Sequence, residues 1–394
     1  MVNYNVDPRL GQLIDFICLY QDWKERIQKA PYFVKVREKG NYVLLKYDMY
    51  NSDLANPIVQ ACRGIIIDQT TKEKEKMVVC CSFMKFFNQG EKKMLGSDEE
   101  GNLQFGEDLS YPIDYNKPYE IQEKLDGSML RLWYHNNSWH VSTSGMVDAA
   151  DATVGGSTQS YADLFWKAFD ACYNSRDALG QLDKNLTYTF ELVSPESRLV
   201  VEYKQTMLYL LMAFNNKTWN ELNIKEIPEL RTTRFRQPNV YQPEFLAQMY
   251  DIDNFEGCVI TQVDDNGVLQ RVKLKTEKYL TLFKMKENTG SDKNILKAII
   301  EGKVDDVLTA FPEYTQKFSE VKAWLDESIS TLNKILDSCD YSLDKKTFAL
   351  MYRELPMLAH CFRRYGNKSY NAEEFYMNPD NFNKVWDMYR NEAV

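Results

Sequence analysis

Hydrophobic residues change their spacing twice along this chain, and the changes divide it into stretches of different structure. Asp7-Pro8 offers a capping carboxylate followed by a proline suited to a first helical turn, and Leu10, Leu13, Ile14 and Ile17 follow at i, i+3, i+4 and i+7. An amphipathic helix is expected there. Short runs rich in Val, Ile, Phe and Tyr then occupy 42–48, 64–68, 77–83, 119–134, 139–143, 187–193, 199–203, 207–214, 257–263 and 268–275, and these read as strands. A stretch near 160–180 keeps helical spacing. Beyond about residue 281 the three- and four-residue spacing returns in Tyr314, Phe318, Val321, Leu325, Ile329, Leu332 and Leu336, which predicts helices to the end. The expected fold class is α+β: an antiparallel-sheet domain over 1–281, then an all-helical domain over 282–394.

Composition fits that picture. With 394 residues, 44% hydrophobic and 27% charged, the chain can bury a real core and is no disordered polymer. A net charge of −9 speaks weakly against nucleic acid, yet Arg271, Lys273, Lys275, Lys278, Lys284 and Lys286 face only Glu277 and Glu287 between 271 and 290, so one surface is expected to be basic. Asp98, Glu99, Glu100, Glu107 and Asp108 read as a solvated acidic loop. Eight cysteines without a C-x-x-C pair, and only three histidines, suggest reduced thiols and no zinc site. Asp7, Arg9 and Asp15 interrupt the first apolar stretch, so no secretory signal is read, and no run approaches the ~18 apolar residues of a membrane span. A cytoplasmic protein is expected. No P-loop and no G-x-G-x-x-G string occurs.

The chemistry-bearing residues begin at Lys124, in Tyr119-Glu120-Ile121-Gln122-Glu123-Lys124-Leu125-Asp126-Gly127-Ser128, where a strand enters a tight turn that Gly127 permits. Alone, this string is as compatible with a surface hairpin as with a site. It is followed by Phe190-Glu191-Leu192-Val193, by Phe255-Glu256-Gly257-Cys258 and by Val272-Lys273-Leu274-Lys275, each on or beside an expected strand. Glu191 and Glu256 sit among apolar neighbours, where an unpaired charge is expensive, so a metal, a ribose hydroxyl or a lysine should lie close by. Lys273 and Lys275, two apart on a strand, share one face. A free lysine is almost wholly protonated at neutral pH, with a pKa near ~10.4. Burial, a second lysine and a divalent metal would each favour the nucleophilic amine.

The order Lys124, Glu191, Glu256, Lys273 resembles that of the covalent nucleotidyltransferases, which include polynucleotide ligases and capping enzymes. Upstream, Ala61-Cys62-Arg63-Gly64-Ile65 and Met84-Lys85-Phe86-Phe87-Asn88 narrow the resemblance to the RNA ligase 1 family of T-even-type bacteriophages. That resemblance implies an ATP-grasp-like ligase domain in which Lys124 becomes adenylated. It further implies that Arg63, Lys85, Phe87, Glu123, Asp126, Gly127, Glu191, Lys273 and Lys275 hold the nucleotide, and that Glu256 holds Mg²⁺ or Mn²⁺. The implied partners are ATP and single-stranded RNA or cleaved tRNA with 5′-phosphate and 3′-hydroxyl ends, with a separate end-repair kinase or phosphatase. The protein is expected to act as a monomer.

One residue departs from the pattern. Related ligases often carry a basic residue just before the glycine of Val141-Ser142-Thr143-Ser144-Gly145; here either another cation, Arg131 or Lys85, replaces it, or that phosphate contact is weaker. Phe214 is one stacking candidate for adenine; Asp305-Asp306 and Arg363-Arg364 are candidate metal and RNA contacts, but both read more readily as helix-end and solvated charges. Two other readings stand beside the ligase: a GTP-using capping guanylyltransferase and a non-catalytic nucleic-acid-binding relative. The helical tail separates the first, and the intact Lys124, Asp126, Glu256, Lys273 and Lys275 the second.

Overall fold

The computed structural model describes residues 4–49, 51–97, 103–154, 158–173, 176–197, 199–227, 235–280, 291–310 and 314–392. The chain divides into two compact units, Met1–Lys286 and Glu287–Val394. The expected domain boundary at 281/282, Lys284, Lys286 and the acidic run 98–100 lie outside the described residues.

In the first unit the helix Pro8–Leu19 starts where expected, with the Asp7 carboxylate accepting from the Arg9 amide. It buries Leu10, Leu13, Ile14, Phe16 and Ile17. Arg9 donates to the Gln60 side chain (2.8 Å) and to the Lys85 carbonyl (3.1 Å), which ties this helix to the segment leading into the site.

The strands, in chain order, are β1 (Val34–Lys39), β2 (Tyr42–Tyr47), β3 (Arg63–Asp68), β4 (Val78–Cys80), β5 (Phe87–Asn88), β6 (Lys92–Ser97), β7 (Leu103–Asp108), β8 (Tyr119–Lys124), β9 (Ser128–His135) and β10 (Ser138–Thr143). They continue with β11 (Leu186–Val193), β12 (Met207–Asn215), β13 (Glu221–Leu222), β14 (Val240–Tyr241), β15 (Gly257–Val263) and β16 (Leu269–Lys275). Among the described residues they form a sheet β1-β2-β3-β4, a sheet β10-β9-β11-β12-β13, a sheet β14-β8-β15-β16-β5 and a hairpin β6-β7. Pairing is antiparallel except between β16 and β5. The helix Tyr161–Tyr173 packs Leu164, Phe165, Ala168 and Phe169 on the second sheet, against Phe190, Leu192, Leu208 and Leu210.

Two expected strands are corrected. The run 77–83 pairs only over Val78–Cys80. Residues 199–203 form no strand, because the amides of Val200 and Val201 donate to the Asp126 carboxylate instead of to a neighbouring strand. The strand β1 was not read from the sequence: in Val34-Lys35-Val36-Arg37-Glu38-Lys39 only Val34 is buried, so it carries little apolar signal.

The second unit is helical, with Thr315–Asp337 its longest element and Phe318, Val321, Leu325, Leu332 and Leu336 buried along it. Helices Asp292–Ile300, Lys345–Met351, Leu358–Gly366 and Phe382–Glu392 accompany it. No described helix is long and apolar enough to cross a membrane.

Candidate active site

Lys124 ends β8 opposite Gly257, and Gly257 is opposite Lys275 on β16. Three neighbouring strands thus bring Lys124 and Lys275 to either side of the start of β15, directly after Glu256. Glu256 is 2% exposed, and its Oε1 accepts from Lys124 Nζ at 2.8 Å and from Lys275 Nζ at 3.1 Å. Lys275 is 6% exposed and Lys124 21%. A carboxylate so far from water needs such partners, and two ammonium groups this close need the carboxylate between them.

Past Lys124 the chain leaves one sheet and enters another at Ser128. The intervening turn is fastened from three directions. Asp126 Oδ2 accepts from the Val200 and Val201 amides (2.8 and 2.9 Å), Asp126 Oδ1 accepts from the Tyr279 hydroxyl (3.0 Å), and the Asp126 amide donates to the Tyr203 hydroxyl (3.0 Å). The Gly127 amide donates to Glu191 Oε1 at 3.1 Å, and a Cβ at Gly127 would collide with the Leu192 carbonyl. Asp126, expected at the nucleotide, thus has its carboxylate engaged in holding the turn. Glu123 precedes Lys124 and so faces the other side of the sheet, where it accepts from Asn239 Nδ2 at 2.5 Å. None of Tyr203, Tyr279, Val200 or Val201 carried a motif that marked it.

Glu191 lies on β11 opposite Met129. Burial first, then the charges of Glu256 and Asp126, raise its pKa from 4.5 to about 7, while Lys124 and Arg63 pull the other way. The folded protein therefore holds a proton that the unfolded chain releases between about pH 4.5 and 7, and stability should fall as pH rises through that window and level off above it. Glu191→Gln, which keeps an acceptor for Gly127, should remove this component. Unfolding free energies of both proteins at pH 5 and pH 7.5 test it; an unchanged difference in the variant contradicts the assignment.

Arg63 starts β3 with its guanidinium 4.9 Å from the Phe86 ring centroid and 5.8 Å from that of Phe83. Its Nη1 is buried without a hydrogen-bond partner among the described residues, as a donor awaiting an acidic ligand would be. Lys273 Nζ also lies over Phe86, at 5.6 Å. Phe86 is therefore the ring that Arg63 and Lys273 share. Phe87 is buried against Lys85 Nζ (4.9 Å), and Lys85 faces Glu91 Oε1 at 3.7 Å. Lys85, Phe87 and the stacking candidate Phe214 line a cavity of about 210 Å³ with Arg9, Trp219 and Arg271.

Arg131, a candidate to replace a base at position 144, is fully buried and donates to the carbonyls of Gly64 and Thr143. It fastens β3 to the last residue of β10, with both of its Nη atoms engaged there. Of the cations expected to form a basic surface after 271, the described ones are engaged: Arg271 pairs with Glu221, the Lys273 and Lys275 side chains are buried, and Lys278 pairs with Asp253 (3.1 Å). In the second unit Arg364 pairs with Asp337 (2.8 Å), so Arg363-Arg364 does not act as a doubled charge; the Asp306 side chain lies outside the described residues.

No group of three His, Cys, Asp or Glu that could hold a metal occurs among the described residues. Glu256, the metal candidate from sequence, bridges two lysines through Oε1, and Glu191 is electrostatically coupled to it. Two carboxylates suit a Mg²⁺-like ion that takes its remaining ligands from substrate phosphates and water. A cation beside Glu191 would also restore the charge that burial suppresses.

Lys124, Glu256 and Lys275 thus converge, with Glu191 close in charge, where two sheets meet. The model of the RNA ligase family matches residues 61–289, more than half of the chain, and the chain belongs to that family. It is 26% identical over 356 residues to an RNA ligase of Rhodothermus phage RM378, covering 76% of this chain and 78% of the phage protein. It is 27% identical over 352 residues to a candidate bifunctional polynucleotide kinase/RNA ligase of Autographa californica nuclear polyhedrosis virus, covering 86% of this chain but only 47% of that protein. Among solved structures, a mutant Naegleria gruberi RNA ligase with ATP and Mn aligns with a TM-score of 0.32 at 16% identity, over 42% of this chain and 51% of the other. A candidate ATP-dependent DNA ligase from Aquifex aeolicus aligns at 0.41 and 12%, over 79% and 80%.

Proposed function

We propose that the protein is an ATP-dependent RNA ligase that joins 5′-phosphate and 3′-hydroxyl ends of single-stranded RNA through an AMP carried on Lys124. The observation that carries this reading is the Lys124–Glu256–Lys275 bridge, built at the crossing between two sheets in a chain of the RNA ligase family. The finer fold assignment, an ATP-grasp-like nucleotidyltransferase domain, belongs to this reading too, with the first unit as the adenylyltransferase and the helical second unit as the seat of RNA preference.

Three steps follow. Lys124 Nζ attacks the α-phosphorus of ATP, so that an N–P bond forms, the P–O bond to pyrophosphate breaks, and the amine proton leaves to a carboxylate or solvent. AMP then passes to the RNA 5′-phosphate, freeing Lys124. Finally the 3′-hydroxyl attacks that activated phosphate and AMP departs. In the first step Lys275 and Lys273 neutralise phosphate charge, Arg63 Nη1 supplies a buried donor, and Glu191, held at about 7, exchanges a proton near neutrality. Mg²⁺ or Mn²⁺, held by Glu191 or Glu256, would supply further charge neutralisation when bound. Asp126 and Gly127 keep Lys124 at the end of its strand.

Cleaved tRNA is the natural substrate on this reading, and ends left with a 5′-hydroxyl need a kinase first. The viral relative named for both kinase and ligase fits such a pairing. A 5′-phosphorylated RNA oligonucleotide should be circularised or joined with ATP and Mg²⁺, while its 5′-hydroxyl twin should remain unchanged, as gel mobility would show. Equal joining of the two, or none of the phosphorylated one, contradicts the proposal.

A further inference from the structure

Lys46 lies on β2 opposite Lys35 of β1 on one side and Arg63 of β3 on the other. The pairing shifts by one residue between Leu45 and Lys46, and Gly64, with φ +85°, is the extra residue on β3. That bulge presses Gly64 against the Ser144 carbonyl, 2.6 Å from where a Cβ would stand, so no other residue lets β3 approach the segment after β10 so closely. Thr143 is opposite Leu130, two residues along β9 from Ser128, and Ser128 is the far end of the Lys124 turn. Ser144 and Gly145 are therefore on the sheet end where that turn opens.

Into this place two cations arrive from the first sheet. Lys46 Nζ is 3.5 Å and Arg37 Nη1 3.7 Å from the position a Gly145 Cβ would take. Arg37 is oriented by donating to the Gly145 carbonyl (2.7 Å) and the Met146 sulfur (2.8 Å). Lys46 Nζ makes no hydrogen bond or ion pair among the described residues, and the nearby Asp48 pairs with Lys35 at 3.2 Å. Arg37, Lys35 and Arg131 repel Lys46, and Asp48, the carboxylate that opposes them, is paired with Lys35, so an added anion at Lys46 Nζ would relieve the repulsion.

We infer that Lys46 and Arg37 form a phosphate-binding subsite beside the Lys124 turn, standing where the chain lacks a basic residue at Ser144. This rests on the ligase reading for its ligand, a phosphate either of an RNA 5′ end or of the pyrophosphate portion of ATP. The groups facing Lys46 are Arg37 and Lys35 from β1, Asp48 beyond β2, Arg63 opposite it on β3 and Arg131 from β9. Burial, and then Arg37, Lys35 and Arg131, lower the Lys46 pKa to about 8, with Asp48 opposing. Its charge, and so its grip on phosphate, should fade as pH rises through 8.

The test is calorimetric titration of the full chain and its Lys46→Met and Lys46→Arg variants. The titrants are inorganic pyrophosphate and, separately, a 5′-phosphorylated RNA oligonucleotide against its 5′-hydroxyl twin. Lys46→Met should weaken one phosphate probe about 10- to 100-fold, as loss of a charge-assisted contact does, and adding Ser144→Lys to it should recover part of the loss. Loss in the pyrophosphate arm assigns the subsite to the nucleotide; loss confined to the 5′-phosphorylated RNA assigns it to the RNA end. Lys46→Arg should bind like the parent at pH 7 and better than the parent above pH 8. Binding of both probes within twofold across all proteins, or the same decline above pH 8 in Lys46→Arg, overturns the inference. Failure of the ligase reading shows elsewhere, as absence of AMP on the parent protein.

Discussion

Glu256→Ala should destabilise the first unit by about 3–5 kcal/mol, the loss typical of breaking a buried ion pair from one side. The reason is the shared oxygen: Glu256 Oε1 receives both Lys124 and Lys275, and without it two ammonium groups on the strands flanking β15 lose the charge between them in a site almost closed to water. Glu256→Gln keeps the shape but supplies a neutral oxygen, so it should recover part of the stability and little adenylation. Guanidinium unfolding followed by tryptophan fluorescence, with the slope compared between proteins, reads the first effect. Transfer of label from ATP reads the second. A midpoint for Glu256→Ala equal to that of the parent would mean that the bridge holds neither lysine.

Strand and helix identities were legible wherever one face is buried. The run Leu186–Val193 is buried along almost its whole length and reads plainly as a strand, and Thr315–Asp337 shows its helical stripe from Phe318 to Leu336. β1 was not legible, because exposed charges fill most of its positions. Residues 199–203 misled because Leu199-Val200-Val201 is apolar enough for a strand, yet the Val200 amide donates to a carboxylate 74 residues away. Such a contact leaves no periodic trace.

The same division holds at the site. Lys124, Glu256 and Lys275 were readable as an ordered set, and the antiparallel register β8-β15-β16 brings them together. Asp126 was readable as a motif residue but not as the clamp of its own turn, since its donors Val200, Val201 and Tyr279 lie far away in sequence. The adjacent rings Phe86 and Phe87 meet different cations, Phe86 beside Arg63 and Lys273 and Phe87 beside Lys85, a difference the bare string does not carry. Lys46 and Arg37 could not be found from the Ser144 segment, because they reach it from another sheet.

The largest effect of all is expected at Lys124 itself. Lys275 and Lys273 can still gather phosphate when Lys124 is replaced by alanine, and Asp126 still holds the turn, so Lys124→Ala should fold and should still bind nucleotide. What it lacks is the single nitrogen placed at the crossing of the two sheets, and no neighbouring lysine on β16 can take its place while both are packed into the sheet at 8% and 6% exposure. The direct measurement is to incubate parent and variant with Mg²⁺ and α-labelled ATP, denature, and count label on the protein. The predicted result is label on the parent, discharged by pyrophosphate, and none on Lys124→Ala; equal label on the variant, or label on the parent from GTP alone, would contradict it.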